Sequence, residues 1–398
     1  MVDSQRVSVD PSKMGDEEDP GSSSRMTRVR SGAQDYSAMP ATLPAAQSSL
    51  EALERLADED RSAQDLLEQA ITRIDRVVPT DGFFFAATDP QTTLSIGTGL
   101  VRNLPQEQCE PHWDYEFLVP DYVKYADIAR SGRRVADIHD ATGGRPERSP
   151  RFKQFKDATG FSAEVRLTFT IGDSAWGLGQ LNRLDARFTE DEKAWLELAS
   201  GAIARGLRRA MLTEPASSAA AVTRGPGVLL LDERGHVVSA TREALEWLDE
   251  LDPELLMSNV GDVQVPFHAH GFAMRVRAAH EDGAQQIRSR LRTRRGVWLI
   301  MHGAVLEGTS QVALILEPAK SADIAPLIVE AYGLTGRELD VTRAIARGLS
   351  TSEIAAELYL SPHTVRDHVK GLFEKVGVSS RGELVHRVFA EHYAAPSH

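Results

Sequence analysis

The feature that most restricts the fold is a serine followed by a proline, directly ahead of a periodic apolar pattern near the end of the chain. Ser361 can cap a helix, and Pro362 suits the first helical position, where no N–H is needed. Apolar residues then recur at the spacing that places them on one side of a helix. This stripe consists of Val365, Val369, Leu372 and Val376. The sequence therefore predicts a helix that packs along one side, with a polar front on the other.

Further short helices are predicted on both sides of this one. Thr335 can cap a first helix that Gly348 should end, and Ser350 or Thr351 can cap a second. A tight turn at Tyr359 and Leu360 separates the second helix from the third. The front of the third helix carries His363, Arg366, Asp367 and Lys370. A helix with a packed back and a front of cations and a carboxylate suits reading bases in the major groove.

With these residues, the stretch from Leu334 to Tyr393 resembles the LuxR/NarL-type helix-turn-helix transcription regulators. The resemblance rests on Ser-Pro-His-Thr-Val-Arg-Asp-His-Val-Lys at 361–370 and Gly-Val-Ser-Ser-Arg at 377–381. It implies base contacts by Arg366, Asp367 and Lys370. It implies phosphate contacts by Ser361, Thr364, His368, Lys375 and Arg381. It also implies a dimer contact on the last helix, with the candidates Val385, Val388 and Phe389.

A rival interpretation is the DNA-reading region of a sigma factor, which shares this helix pattern. Nothing upstream resembles the aromatic and basic helices that melt promoter DNA. This favours the regulator over the sigma factor. The motif and its helical context occur together, which favours the regulator over an ordinary helical bundle.

Charge is distributed unevenly along the chain. The whole sequence has 58 acidic and 45 basic residues, a net charge of −13. The stretch from Leu334 to Tyr393 has eight of each, so the remainder carries the whole excess. The basic footprint is therefore local and modest, and we expect DNA affinity to depend on dimerisation rather than on bulk charge.

Composition also limits the compartment. Cys109 is the single cysteine, which excludes an intramolecular disulfide. No apolar run approaches eighteen residues, and the first residues lack an apolar signal core. We expect a cytoplasmic protein with no membrane partner.

The upstream sequence divides into segments of different character. The fold class we expect is α+β and multidomain: two antiparallel-sheet sensor domains followed by an all-α domain of four helices. By their order of elements, the first sheet domain resembles a GAF domain and the second a PAS domain. The predicted segments are a disordered tail at 1–45, the GAF-like domain at 46–212, a linker at 213–224, the PAS-like domain at 225–320, a connecting helix at 321–332 and the DNA-binding domain at 333–398.

Several other constellations point to no chemistry. Asp232 follows an apolar strand as a phosphorylated aspartate would, but a hairpin turn comes next, so a turn residue is the better interpretation. Haem ligation by His268 or His270 is the one cofactor hypothesis, set against ordinary loop histidines in solvent. The arginine run at 288–295 is interpreted as the solvent face of a strand. No catalytic constellation, metal site or phosphate loop is recognisable, and ligand-binding residues are unknown.

These observations predict a sequence-specific DNA-binding regulator that works as a homodimer on double-stranded DNA. A small molecule sensed by the upstream domains would control its DNA binding. The alternative is a regulator whose sensor region binds a protein partner instead. An enzyme fused to a DNA-binding domain is a third interpretation, and no group of residues supports it.

Overall fold

The computed structural model describes residues 43–105, 109–213, 224–251, 257–260, 263–284 and 286–390. Residues 1–42 of the predicted tail and residues 214–223 of the predicted linker lie outside these ranges. Helix α1 (Leu43–Asp58) begins within the last residues assigned to the tail. The domain boundaries drawn from the sequence otherwise stay predictions.

The first sheet domain contains five antiparallel strands in the order β2-β1-β5-β4-β3. Its strands are β1 (Gly82–Asp89), β2 (Leu94–Arg102), β3 (Val135–Asp137), β4 (Ala163–Ile171) and β5 (Ser174–Arg183). Its helices after α1 are α2 (Ala63–Val77), α3 (Cys109–Phe117), α4 (Tyr125–Arg130), α5 (Ile138–Ala141), α6 (Pro150–Thr159) and α7 (Glu190–Thr213). The segment from α3 to α6, which includes β3, lies between β2 and β4.

Strand β1 is buried at every position because both of its faces are covered. Phe83 and Phe85 join the core formed with α1, α2 and α7. Phe84 and Ala86 point the opposite way, into a core shared with the second sheet domain. A continuous apolar run is the pattern expected of a strand covered on both sides.

The second sheet domain repeats the strand order of the first. Its sheet runs β10-β11-β12-β6-β7. When the five strands of each sheet are numbered in chain order and this sheet is read from β7, both sheets have the order 2-1-5-4-3. Its strands are β6 (Gly227–Leu231), β7 (Val237–Ala240), β10 (Ile287–Arg292), β11 (Trp298–Val305) and β12 (Val312–Pro318). Between β7 and β10 lie α8 (Arg242–Asp249), the separate pair β8 (Met257–Val260) and β9 (Val263–Pro266), and α9 (Phe267–Glu281). Gly303 of β11 lets α9 approach closely, because a Cβ there would lie 2.3 Å from Val276.

Two predictions about the second sheet domain are wrong, one of them in part. Arg288, Arg294 and Arg295 are exposed, as expected for the arginine run, but Arg290 and Arg292 are buried. The reason is that β10 lies beside β2, so this part of the strand forms an interface between the domains. His270 is also buried, because the expected loop is helix α9. Its burial, and then the nearby His236, lower the pKa of His270 to about 4.

The surroundings of His270 do not fit haem. A Cβ built on Gly235 would lie 2.8 Å from its Nε2, so this nitrogen packs against the β6–β7 turn and leaves no room for a macrocycle. The side chain of His268 lies outside the described residues. Within the described ranges, no group of three or more His, Cys, Asp or Glu side chains is arranged to hold a metal ion.

The connecting helix α10 (Ser321–Ala331) belongs to two cores at once. Ile324, Leu327 and Ile328 pack into the core of the first sheet domain. Val329 packs into the core of the C-terminal helices. The hydroxyl of Ser174, in the β4–β5 hairpin, also donates to Glu330 of α10. The helix thus packs against both the first sheet domain and the C-terminal helices.

The C-terminal domain is built from short capped helices: α11 (Gly336–Ala346), α12 (Thr351–Glu357), α13 (Pro362–Val376) and α14 (Arg381–Val385), with a last helical turn at His386–Ala390. Thr335 caps α11 as predicted, and Ser350, one of the two candidates, caps α12. Each is paired reciprocally with a glutamate three residues on. The predicted fold class, with two antiparallel sheets ahead of a helical domain, is confirmed. None of the helices in the described ranges is long and apolar enough to cross a membrane.

Candidate nucleic-acid interface

Helix α13 is held by its apolar side, so that its polar side faces outward. Val365 and Leu372 are fully buried, and Val376 nearly so. Val369, expected in the same stripe, is only half-buried. Ser361 caps the helix by accepting from Thr364 N–H at 3.0 Å, as the Ser-Pro start predicted.

The outward side presents two cations one helical turn apart. Arg366 is exposed, and its guanidinium makes no ion pair within the described part of the chain. The Nζ of Lys370 is 3.9 Å from Glu374, a loose contact in solvent. Between them lies a shallow groove of about 340 Å³, with the half-buried Val369 and Phe373 in its wall. Arg366 and Lys370 are therefore available to an acceptor outside the domain.

Asp367 has a partner that the sequence analysis did not anticipate. Its Oδ2 lies 2.9 Å from Nδ1 of His363, one turn earlier on the same helix. Both side chains are largely exposed, at 66 % and 82 %. The neighbouring Arg366 is not its ion-pair partner. The pair is a weak surface contact that a base could replace.

The predicted phosphate contacts at the start of α13 remain accessible to different degrees. Ser361 is exposed, and its hydroxyl lies 2.9 Å from that of Thr364. Thr364 and His368 are half-buried. Ser361 and Thr364 lie at the helix start, where backbone N–H groups also favour an anion, whereas His368 lies further along α13.

The side chains of the two other predicted phosphate contacts donate hydrogen bonds within the domain. Lys375 Nζ donates to Glu338 at 2.7 Å and to the Gly333 carbonyl at 3.1 Å. Arg381 donates to the Leu349 carbonyl and, with its other amino group, to a hydroxyl in α12, each at 2.8 Å. Both cations therefore hold helices together, and their contact with phosphates stays a prediction.

The contact with Lys375 changes the pKa of the Glu338 carboxyl. Burial alone would raise the pKa of this carboxyl, but hydrogen bonds from Lys375 and Thr335 outweigh it and lower the pKa below its ordinary value. The carboxylate joins the cap of α11 to the end of α13.

The predicted dimer contact also needs correction. Val388 is fully buried in the core of its own domain, so it offers no surface to a partner. Val385 is half-buried and packs against the same core. The side chain of Phe389 lies outside the described residues. Periodicity alone could not separate an inward from an outward apolar residue on so short a helix.

Tyr359 is an exposed residue to which the sequence analysis gave no role beyond a turn. It lies between α12 and α13, is 95 % exposed and has a φ of +54°. Residues other than glycine adopt this conformation at a cost, so a bulky side chain here is unusual. Its position next to the start of α13 places it beside the candidate interface.

Comparison with known proteins identifies this domain. Residues 333–388 match the family described as bacterial regulatory proteins, luxR family. The transcriptional regulatory protein UhpA of Salmonella typhimurium is 54% identical over 56 residues, 14% of this chain and 29% of UhpA. The probable transcriptional regulatory protein NarL of Mycobacterium tuberculosis is 46% identical over 66 residues, 17% of this chain and 28% of that protein. The chain thus spans under a third of the length of these two relatives.

Solved structures give weaker likenesses. Escherichia coli SdiA aligns over 87% of this chain and 98% of its own, with 13% identity and a TM-score of 0.30. The GAF domain of a phosphoenolpyruvate-protein phosphotransferase from Coxiella burnetii aligns over 43% of this chain and 97% of its own, with 12% identity and a TM-score of 0.31. At these TM-scores neither likeness extends to function. The predicted LuxR-type helix-turn-helix is confirmed by the family match at 333–388.

Proposed function

We propose that this chain, whose residues 333–388 form a LuxR-family DNA-binding domain, is a transcription regulator that reads its operator with the front of α13. The observation that carries the proposal is the exposure of Arg366 on a helix whose opposite side is buried at Val365, Leu372 and Val376. A rigid helix with a free cation on its front is what major-groove reading requires.

Each residue on the front has a chemical task. Arg366 and Lys370 can donate to O6 and N7 of guanine, and Asp367 can accept from N4 of cytosine. Because Asp367 already has His363 as a partner, a base must compete with that contact. Ser361 and Thr364 at the helix start, with His368 further along α13, would position the domain on phosphates, which carry no sequence information.

We further propose that the regulator binds as a dimer and that a small ligand of the sheet domains controls it. Half-sites about one helical turn apart would fit two copies of α13. Helix α10 supports ligand control because it packs into both the first sheet domain and the DNA-binding domain. A ligand can act on DNA binding only by its different affinity for two arrangements of these parts.

The test begins with operator DNA selected from a random-sequence library by the full chain. Binding is then titrated at several salt concentrations on this operator and on a scrambled duplex. Arg366→Ala should lose about 1–3 kcal/mol on the operator and relax the preference at one base pair, because a bidentate contact to guanine is lost. Arg343→Ala is the matched control, since Arg343 is an exposed arginine on α11 rather than on α13.

Two outcomes would contradict the assignment. Equal losses on operator and scrambled DNA for Arg366→Ala would make Arg366 a phosphate contact. A loss of base preference in Arg343→Ala would place the reading surface on α11. Asp367→Ala should bind scrambled DNA more tightly, because a carboxylate near phosphates repels them.

Arg381 provides a separate check on the internal contacts. Because Arg381 links to α12 and to Leu349, Arg381→Ala should lower the unfolding temperature of the chain. At temperatures where the variant is folded, its salt dependence should match the wild type, whereas loss of a phosphate contact would reduce the slope by about one unit. A reduced slope at unchanged stability would restore the phosphate assignment.

A further inference from the structure

A cleft of about 840 Å³ lies between the two sheet domains. The first domain supplies most of its wall, from the β1–β2 turn and from the segment that includes α3 and α4. The second domain supplies Arg275, from α9. A cleft of this size falls within the range of small-molecule sites, which often form between domains.

The interior of the first domain next to this cleft is already filled by ion pairs. Arg166 donates to Glu116 at 2.8 Å, and Arg151 donates to Glu164 at 2.8 Å. All four side chains are at most 5 % exposed. A ligand between the sheet and helices α3 and α6 would have to break these buried ion pairs, and leaving a buried charge without its partner costs free energy. The space that remains for a ligand is the cleft outside this cluster.

The charged side chains of the cleft that make neither an ion pair nor a hydrogen bond within the described ranges are mainly positive. Lys124 and Arg275 are half-buried, and neither makes an ion pair within the described ranges. Three of the cleft carboxylates already have partners: Glu116 pairs with Arg166, Asp121 accepts from the N–H groups of Tyr122 and Arg151, and Asp127 pairs with Arg130. Asp173, in the exposed β4–β5 turn, is the remaining one. Two half-buried cations favour an anionic ligand.

Aromatic rings form a flat wall beside Arg275. The rings of Trp113 and Phe117 stack with centroids 5.5 Å apart and planes at 6°. The guanidinium of Arg275 lies 5.8 Å from the Phe117 centroid. Trp113 also packs on Gly271 of α9, where a Cβ would lie 2.5 Å from its ring. Both domains therefore fix this wall, which suits a planar ligand.

Backbone strain borders the same cleft. Thr93, in its wall, has a φ of +61°, and Val123, next to Lys124, has a φ of +51°. β-Branched residues rarely adopt this conformation, and strained residues concentrate where ligands are held. The strain is a second observation at this cleft, independent of its charge.

We propose that the cleft binds a small aromatic carboxylate. Its ring packs on Phe117, its carboxylate pairs with Arg275, and Lys124 adds positive charge from the other domain. Because the two cations belong to different sheet domains, the bound anion favours the arrangement in which both are near. The effect on DNA rests on the proposed function, whereas binding in the cleft does not.

The test is calorimetric titration of the full chain with benzoate, salicylate and 2-naphthoate, each beside its neutral amide. At least one carboxylate should bind with a Kd at or below about 1 mM, the affinity expected for ligands of this size. Its amide should bind about tenfold more weakly, because the charge-assisted hydrogen bond is lost. Failure of all three carboxylates to bind overturns the proposal, as does equal binding of acid and amide.

Variants locate the binding. Arg275→Gln should weaken the carboxylate about tenfold and leave the amide unchanged. Phe117→Leu keeps an apolar side chain but should weaken acid and amide alike, about threefold or more, because the stacking surface is lost. Arg277→Gln is the matched control: Arg277 lies one half-turn away on α9 and donates to the Ser310 carbonyl, outside the cleft. Wild-type binding by Arg275→Gln, or an equal loss in Arg277→Gln, overturns the assignment.

A DNA titration with and without the carboxylate separates this inference from the proposed function. Carboxylate binding with unchanged operator affinity supports the cleft and overturns ligand control through it. Operator recognition without any carboxylate binding overturns the cleft and leaves the DNA-binding role intact.

Discussion

Arg290 is a buried cation at the meeting point of three parts of the chain. Its Nη1 donates to Asp89 at 2.9 Å and to Gln91 at 3.1 Å, both in the first sheet domain. Its Nε donates at 2.6 Å to the carbonyl of Asp323, at the start of α10. We predict that Arg290→Met, which keeps a side chain of similar length, removes the contacts among these three parts and lowers the free energy of unfolding.

The magnitude follows from the burial of Asp89. Its side chain is fully buried, and that of Arg290 is 9 % exposed. Without Arg290, the Gln91 N–H at 3.0 Å is the one side-chain hydrogen bond that the Asp89 carboxylate keeps within the described residues. Removing one partner of a buried pair costs about 3–5 kcal/mol, because the other charge is left uncompensated. Apolar packing by methionine regains only part of this.

A second variant also removes the Asp89 charge that Arg290→Met leaves unpaired. Asp89→Asn with Arg290→Met keeps an acceptor for Gln91 N–H and has no unpaired ion. The double variant should therefore be more stable than Arg290→Met alone, with a coupling energy of about 2–3 kcal/mol. Asp89→Asn alone should also be destabilised, since Arg290 then lacks its anion.

Urea unfolding, followed by tryptophan fluorescence and by circular dichroism, measures these differences. Coincident transitions would show that the two sheet domains unfold together. Arg288→Met is the matched control, because Arg288 is exposed on the same strand; it should stay within about 0.5 kcal/mol of wild type. The reasoning is refuted if Arg290→Met is as stable as this control, or if the double variant is no more stable than Arg290→Met.

Three further predictions concern stability. Tyr359→Gly should stabilise the chain by about 0.5–1 kcal/mol in thermal unfolding, because relief of about 1–2 kcal/mol of left-handed strain exceeds the entropic cost of glycine; no gain would mean that the turn is unstrained. Gly271→Ala should destabilise it in the same assay, because contact with the Trp113 ring, costing about 1–3 kcal/mol, outweighs the gain of about 1 kcal/mol in helix propensity; a stabilised variant would show that the two domains do not pack here. Burial raises the pKa of Glu164, but Arg151 and a second arginine lower it further, so its net pKa is depressed. Its contribution is complete above the unfolded pKa of about 4.3 and is lost as pH falls through the folded pKa. Urea midpoints from pH 7 to pH 3 should therefore drop more steeply for wild type than for Glu164→Gln, and parallel profiles would contradict this.

The DNA-binding domain could be predicted because its signals are local. Thr335, Ser350 and Ser361 cap helices through hydrogen bonds to residues three positions away, and Pro362 fixes a helix start by its own geometry. Such signals can be recognised without knowledge of the rest of the fold. The family match at 333–388 agrees with them.

The errors all depend on distant partners. Nothing in the sequence indicated that Lys375 pairs with Glu338, 37 residues earlier. Arg290 was assigned to solvent because its partner Asp89 lies 201 residues away, in another domain. Val388 was assigned to a dimer because only the packed core shows which side of its short helix faces inward. Residue type and spacing cannot supply contacts of this kind.

The two-sided packing of α10 limits how the chain can be divided. A fragment that starts at Ala325 keeps Val329 for the DNA-binding core but exposes Leu327 and Ile328, which the first sheet domain covers in the full chain. A fragment that starts after α10 loses Val329 and leaves a gap in the smaller core. Any hybrid that joins these sheet domains to a different DNA-binding domain must therefore replace the face of α10 that carries Val329, while keeping the face that carries Leu327.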